Sequence, residues 1–179
     1  MEQLGTDIFT SPLWTPERCQ EIIKKAEEDG GGFAPLAPRD KYQTQDVILS
    51  ESDNPMIARL WKEMLPNLMN LENSIREEWW INQVSMDTEL SYYGFIVKYE
   101  LGVQKSLRLH TDESDITISV RLNDNYKGCV LEFPRQNIQN SEVPIGDAMI
   151  FPGSITHPHH VHPLEEGTKY TLTVWLRIV

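Results

Sequence analysis

Cysteine is scarce in this chain of 179 residues: only Cys19 and Cys129 occur. They are far apart and form no Cys-x-x-Cys pair, so no disulfide framework is expected and a reducing compartment fits best. Basic residues are also in short supply, 16 Lys and Arg against 27 Asp and Glu, for a formal net charge of −11. A chain this acidic repels phosphate backbones, so nucleic acid is not an expected partner. No apolar run reaches membrane length, and the start, Met-Glu-Gln-Leu-Gly-Thr-Asp, lacks the basic residues and apolar stretch of a secretion signal. Membrane contact and export are therefore not expected, and the cytoplasm is the expected location. Internal repeats and low-complexity linkers are missing too. What is present is ordinary globular composition, 40% hydrophobic and 24% charged, in a length that buries most of its apolar surface as one domain over 1–179.

Thr15-Pro16-Glu17 reads as a helix start: a capping residue, a proline at the first helical position and an early acid. Cys19, Ile22, Ile23 and Ala26 give that helix one apolar stripe, and Gly30-Gly31-Gly32 ends it. A loop with Pro35 and Pro38 leads to a short strand near Thr44 to Leu49. Asn54-Pro55 opens a second helix, which Pro66 is expected to interrupt before the pattern resumes to about Trp80. Beyond it, alternating residues predict strands over 92–101, 116–122, 130–133, 148–151 and 168–178. Helices first and strands afterwards predict an α+β fold. A helical layer over about 1–90 would cover one face of a two-sheet jelly roll, or double-stranded β-helix, over about 91–179.

The chemistry concentrates in two segments. His110-Thr111-Asp112 puts an imidazole and a carboxylate at i and i+2 of an extended stretch, on one face. Later, after the buried-strand pattern of residues 146–151 and the Pro152-Gly153 turn, His157, His159, His160 and His162 fall close together. One of these can complete a set of two histidines and one carboxylate. Such a set occupies one face of an octahedral ion and leaves three positions open, as non-haem Fe(II) oxygenases require. Spacing alone leaves open which histidine joins, and also allows an exposed tract that binds metal incidentally. The tract is followed, however, by an alternating strand. There Tyr170, Leu172, Val174 and Leu176 share an apolar face, and Lys169, Thr171, Thr173 and Trp175 share the other.

Phe95-Ile96-Val97-Lys98-Tyr99, Leu107, His110-Thr111-Asp112 and the Ile116 to Leu122 strand resemble the Fe(II)/2-oxoglutarate-dependent oxygenases of the prolyl and lysyl hydroxylase type. The spacing is most similar to the catalytic domain of the procollagen lysyl hydroxylases, and the likeness covers roughly residues 91–179. The family's later pattern, His-x-x-x-Pro-x-x-x-Gly-x-basic-Tyr, fits His159, Pro163, Gly167, Lys169 and Tyr170. The resemblance therefore implies that His110, Asp112 and His159 are the metal ligands and catalytic residues. His157 corresponds to a second histidine that precedes the ligand in the lysyl hydroxylases, while His160 and His162 are neighbours without a metal bond. It further implies Fe(II), 2-oxoglutarate and O2, with ascorbate as an accessory reductant. Lys169 would hold the far carboxylate of 2-oxoglutarate, as Lys does in the collagen prolyl hydroxylases where lysyl hydroxylases use Arg. Tyr99, at the family offset before His110, would hydrogen-bond the cosubstrate, and Ser119 stands where the family has a contacting Asn. Cys129 replaces a frequent Gly and is expected to pack inertly.

The implied reaction is hydroxylation of an unactivated aliphatic C–H on an amino acid, related small metabolite or peptide residue, with release of succinate and CO2. Asp112 favours hydroxylation over halogenation, since the related halogenases carry a small residue there. If Ser119 faces the metal, alternation turns Thr117 and Arg121 the same way, and Arg121 could clamp an anionic group of the substrate. Trp79, Trp80 and the stretch 42–46 are candidates for the rim. Two other readings compete: a catalytically silent jelly-roll module that binds metal or ligand, and an interaction domain whose histidine tract is incidental.

Overall fold

The computed structural model describes residues 1–29, 33–35, 44–78 and 89–179. Expectations for Gly30-Gly31-Gly32, Pro38, Tyr42, Trp79 and Trp80 lie outside the described residues. In chain order the elements are β1 (Glu2–Gly5), β2 (Ile8–Pro12), α1 (Pro16–Asp29), β3 (Ala34–Pro35), β4 (Gln45–Ile48), α2 (Pro55–Glu78), β5 (Leu90–Glu100), β6 (Leu107–His110), β7 (Ile116–Arg121), β8 (Tyr126–Gly128), β9 (Leu131–Phe133), β10 (Ile138–Gln139), β11 (Asp147–Pro152), β12 (His159–Val161) and β13 (Leu164–Ile178).

All strand pairs are antiparallel and form two sheets. The major sheet runs β1-β2-β11-β7-β13-β5-β4-β3, with β8 paired to the start of β13, and the minor sheet runs β10-β9-β12-β6. One core lies on the outer face of the major sheet. Ile22 and Ala26 of α1 and Ile57, Leu60, Met64, Leu68 and Ile75 of α2 pack there against Ile96, Ile118, Val120, Leu172 and Val174. The second core fills the space between the sheets with Phe95, Val97, Leu131, Phe133, Met149, Phe151 and Val161. This is the α+β jelly roll that the residue pattern predicts, with helices behind one sheet.

The helices start where their caps say. Thr15 Oγ1 accepts from Arg18 N at 3.3 Å, and Asn54 Oδ1 accepts from Met56 N at 2.9 Å, each satisfying a first-turn N–H. Pro66, however, does not interrupt α2, which is one helix through Glu78. The stripe of Ile57, Leu60, Met64, Leu68, Leu71 and Ile75 continues across it at helical spacing, every member buried. Pro66 is on the exposed side, where the carbonyl it leaves without a donor can reach water, and burial of the stripe outweighs its cost of about 3 kcal/mol. The first 90 residues are not purely a helical layer either. The hairpin β1–β2 extends the major sheet beside β11, pairing Thr10 with Met149. Its strands have only four and five residues, too few for their alternation to stand out in the sequence.

Gly94 on β5 marks where the helical layer touches the sheet most closely. A Cβ there would lie 2.3 Å from the ring of Trp61, itself buried at 7% exposure. Replacing Gly94 with Ala is expected to lower the unfolding free energy by about 1–3 kcal/mol through overpacking, measured by urea denaturation.

Candidate functional site

Strands β6 and β12 lie side by side in the minor sheet with His110 directly opposite His159, and their ring centroids are 4.4 Å apart. Asp112 follows two residues after His110, and its backbone N–H donates to Gly153 O at 2.8 Å. Its Oδ1 sits 3.6 Å from Nε2 of His110 and 3.6 Å from Nε2 of His159. These three ligand atoms all lie within 4.8 Å of one another, close enough for one shared ion.

The partners of each ligand prepare it for that ion. His110 Nδ1 lies 2.8 Å from Arg108 O and His159 Nδ1 lies 2.9 Å from His157 O. A carbonyl only accepts, so each Nδ1 carries a proton, and Nε2 is the ring nitrogen turned toward Asp112. Asp112 Oδ2 accepts from Thr117 Oγ1 at 2.6 Å, and Thr117 lies 2.8 Å from Ser114 Oγ. One carboxylate oxygen is thereby engaged while the other faces the imidazoles. Burial alone would raise the Asp112 carboxyl, but hydrogen bonding to His110, His159 and Thr117 outweighs it and holds the group well below the usual carboxylate range. Gly153 makes the turn possible: a Cβ there would fall 1.9 Å from Ser114 Oγ.

Lys169 is 2% exposed. Its ammonium donates to Cys129 O at 2.6 Å and lies 5.4 Å and 5.8 Å from the ring centroids of Tyr99 and Tyr126. Among the described residues no carboxylate stands within ion-pair distance of it. Burial pushes its pKa down to about 8. Cys129 offers its carbonyl from a left-handed turn, with φ of 73° at Gly128 and 54° at Cys129. The Cys129 thiol is itself buried and pushed up to about 11, as suits an inert packing role.

Lys169 and Tyr99 face each other across β13 and β5, as do Thr173 and Phe95, while Thr173 pairs on its other side with Ser119 of β7. These residues, with Thr117 and the His–Asp–His set, line one cavity of about 410 Å³ between the sheets. Tyr93, Phe95 and Trp175 wall another part of it, with Phe95 and Trp175 packed edge to face at 5.2 Å. Two lining groups, Thr171 Oγ1 and Trp175 Nε1, are buried without a hydrogen-bond partner among the described residues. Arg121 is not brought here. It lies at the end of β7, lines a separate small cleft with Asp124 and Tyr126, and donates to Ser141 O at 3.2 Å. Alternation holds along β7, but the cavity stops short of the strand end. His157 is buried as a latch, its Nε2 donating to Thr6 O at 3.0 Å, and is not part of the set. Thr44 and Asp46 do reach the cavity wall. Sequence reasoning misses Ser114, which carries no local signal, and reads Gly153 only as part of a Pro-Gly turn; the close approach between the two segments is what makes both matter.

The 2OG-Fe(II) oxygenase superfamily model matches residues 94–177, the stretch that contains every residue of this set. Human procollagen-lysine,2-oxoglutarate 5-dioxygenase 2 is 26% identical over 193 residues, covering 95% of this chain and 23% of its own length. Together these matches support a 2OG-Fe(II) oxygenase of the prolyl/lysyl hydroxylase type. Procollagen lysyl hydroxylase and glycosyltransferase of Acanthamoeba polyphaga mimivirus is 28% identical over 185 residues, covering 95% of this chain and 19% of its own length. The chain thus spans about a quarter or less of the curated relatives it matches. Its fold is that of the viral collagen prolyl hydroxylase from Paramecium bursaria Chlorella virus-1, solved as a 2OG complex, with a TM-score of 0.66 at 16% identity and 97% of each chain covered. The superfamily uses Fe(II), 2-oxoglutarate and O2, and the residues here fit all of them. Three ligand atoms converge for the ion, and an ammonium without a carboxylate partner waits in the same cavity for an acid.

The two buried histidines should separate cleanly. His159→Ala is expected to abolish the weak visible band that Fe(II) and 2-oxoglutarate develop together under anaerobic conditions, whereas His157→Gln, which keeps a donor for Thr6, should retain it.

Proposed function

We propose that this chain is a 2-oxoglutarate-dependent dioxygenase that hydroxylates an unactivated aliphatic C–H of an amino acid, related small metabolite or peptide residue, releasing succinate and CO2. The observation that carries this reading is the sharing of one cavity by a His–Asp–His ligand set and a buried ammonium with no carboxylate partner. With 2-oxoglutarate and O2, a ferrous ion supplies an oxidant strong enough to convert an aliphatic C–H to an alcohol. In this reading His110, Asp112 and His159 hold the ion through Nε2, Oδ1 and Nε2. Thr117 keeps the carboxylate turned so that only one oxygen is offered. Asp112 occupies the position a halide would need, which favours hydroxylation.

Lys169 receives the far carboxylate, and Tyr99 and Ser119 line its path. Holding this lysine protonated in the cavity costs about 3 kcal/mol relative to water, from the depression of its pKa from 10.5 to about 8. A bound carboxylate offsets that cost, so selectivity for a diacid follows from the burial itself. The aromatic wall of Tyr93, Phe95 and Trp175 is where a substrate chain would lie, since it is the apolar part of the cavity. Relatives named for procollagen lysine and collagen proline support a peptide residue as the leading substrate class.

Anaerobic loading with Fe(II) and 2-oxoglutarate, followed by O2 and a screen of peptides and amino acids read by succinate, tests the proposal. Succinate that depends on Asp112 is expected; none with any substrate, at full Fe(II) and 2-oxoglutarate occupancy, would remove it. Lys169→Met should weaken 2-oxoglutarate binding at least about a hundredfold, the loss of a buried charge-assisted contact. The pH dependence has a definite sign. Binding needs the protonated lysine, which the free protein loses as pH rises through about 8. Affinity for 2-oxoglutarate should therefore be level below pH 8 and fall by up to about tenfold per pH unit above it, and calorimetric titration should find no such decline in Lys169→Met.

A further inference from the structure

We propose that the outer face of the minor sheet carries a second divalent metal site, built from Glu132, His160 and His162 and suited to Zn(II). Strand β12 alternates, so His159 and Val161 are buried toward the cavity while His160 points the other way. His162, two residues on, lies on the same outer side as His160, and the two imidazole rings are 4.5 Å apart. Glu132 of β9 is the cross-strand partner of His160. Its Oε2 lies 3.4 Å from His160 Nε2 and also contacts His162 Nε2. One ligand atom from each residue lies within 4.8 Å of the others, a spacing shared, among the described residues, only with the His110–Asp112–His159 set.

One carboxylate oxygen faces two imidazole nitrogens that converge on it. Such an oxygen can accept from both rings as N–H donors, so a plain hydrogen-bonded cluster is the alternative that the test separates from a metal site. A single divalent ion satisfies both nitrogen lone pairs and the carboxylate together. Gln139 of β10, cross-strand partner of Glu132 on its other side, hydrogen-bonds the carboxylate and orients it. Two imidazoles and one carboxylate suit Zn(II), Ni(II) or Cu(II) better than the oxygen-seeking Mg(II) or Ca(II). All three side chains are partly exposed, at 27%, 41% and 24%, so a fourth position is open to water. Such an ion ties β9 to β12, the strand whose opposite face presents His159. His160 and His162, expected from the resemblance to make no metal bond, would thus hold an ion of their own.

Zn(II) binding to the chelator-treated full chain, counted by equilibrium dialysis, tests the site. Two equivalents are expected for the unaltered protein and one for Asp112→Ala. The His160→Ala/His162→Ala pair should keep one equivalent and, with Fe(II), the visible 2-oxoglutarate band. Glu132→Gln, which preserves shape and so guards against a folding artefact, should weaken the outer equivalent at least about tenfold. Zn(II) should also raise the Tm of Asp112→Ala, and this rise should vanish when His160 and His162 are replaced as well. A single equivalent in the unaltered protein, or a second equivalent that survives replacement of both outer histidines, would overturn the proposal and leave an ion pair.

Discussion

The molecule is organised by the alternation of a single long strand. β13 pairs with β5 from Thr168 to Ile178 and lies between β5 and β7 from Thr171 to Leu176, and its two faces serve different interiors. Leu172, Val174 and Leu176 are fully buried toward the helices, while Lys169, Thr171 and Trp175 turn into the cavity between the sheets. A slip of one residue would drive the lysine into the helical layer and the leucines into the cavity, so the register is held by burial on both sides. The cover formed by the two helices matters for that reason. It makes the outward leucines worth burying and so fixes which way the lysine points.

The cavity holds two buried charges that do not pair with each other. At one place a carboxylate is kept ionised by two imidazoles and a threonine hydroxyl; at another an ammonium is left with a carbonyl and two aromatic rings. The first is satisfied in advance and the second is not. Uncompensated charge at such depth is costly, and proteins keep it where a ligand returns the cost. Thr171 Oγ1 and Trp175 Nε1, buried without partners among the described residues, extend the same unsatisfied character along the wall. In the proposed oxygenase reaction the cosubstrate would span from the ion to this lysine.

β12 is short, yet it serves two chemistries on opposite faces. His159 is packed between the rings of Phe133 and Phe151, at 5.2 Å and 5.1 Å, which orients its imidazole toward the cavity. His160 faces out beside Glu132. The preceding residue in the cluster, His157, is spent on tying this loop to the N-terminal turn at Thr6. The histidines of one short segment therefore divide among a proposed catalytic ligand, a structural latch and a proposed outer metal clip, each role set by which way the backbone turns the ring.

Much of this was legible in the chain itself. The His-x-Asp pair at strand spacing, the opposed faces of the strand that carries Lys169, the cap residues Thr15 and Asn54 and the apolar stripes of both helices are all local periodicities, and periodicity is a one-dimensional property. The N-terminal hairpin was not legible, because strands of four and five residues are too short to show alternation and the hairpin is placed by the pairing of β2 with β11. Pro66 passed for a break because local chemistry penalises it and only packing on α2's far side decides otherwise. Arg121 follows the right alternation but stands beyond the cavity's end, a matter of how far the sheet extends. The partnership of Glu132 with His160, the removal of His157 from the ligand set and the closeness of Ser114 to Gly153 depend on which strands lie next to each other and in what register. By itself the sequence determined which side chains were available and which faces they shared. Only the tertiary structure decided which of them meet, because register is set by burial summed over whole sheets and not by any residue's neighbours in the chain.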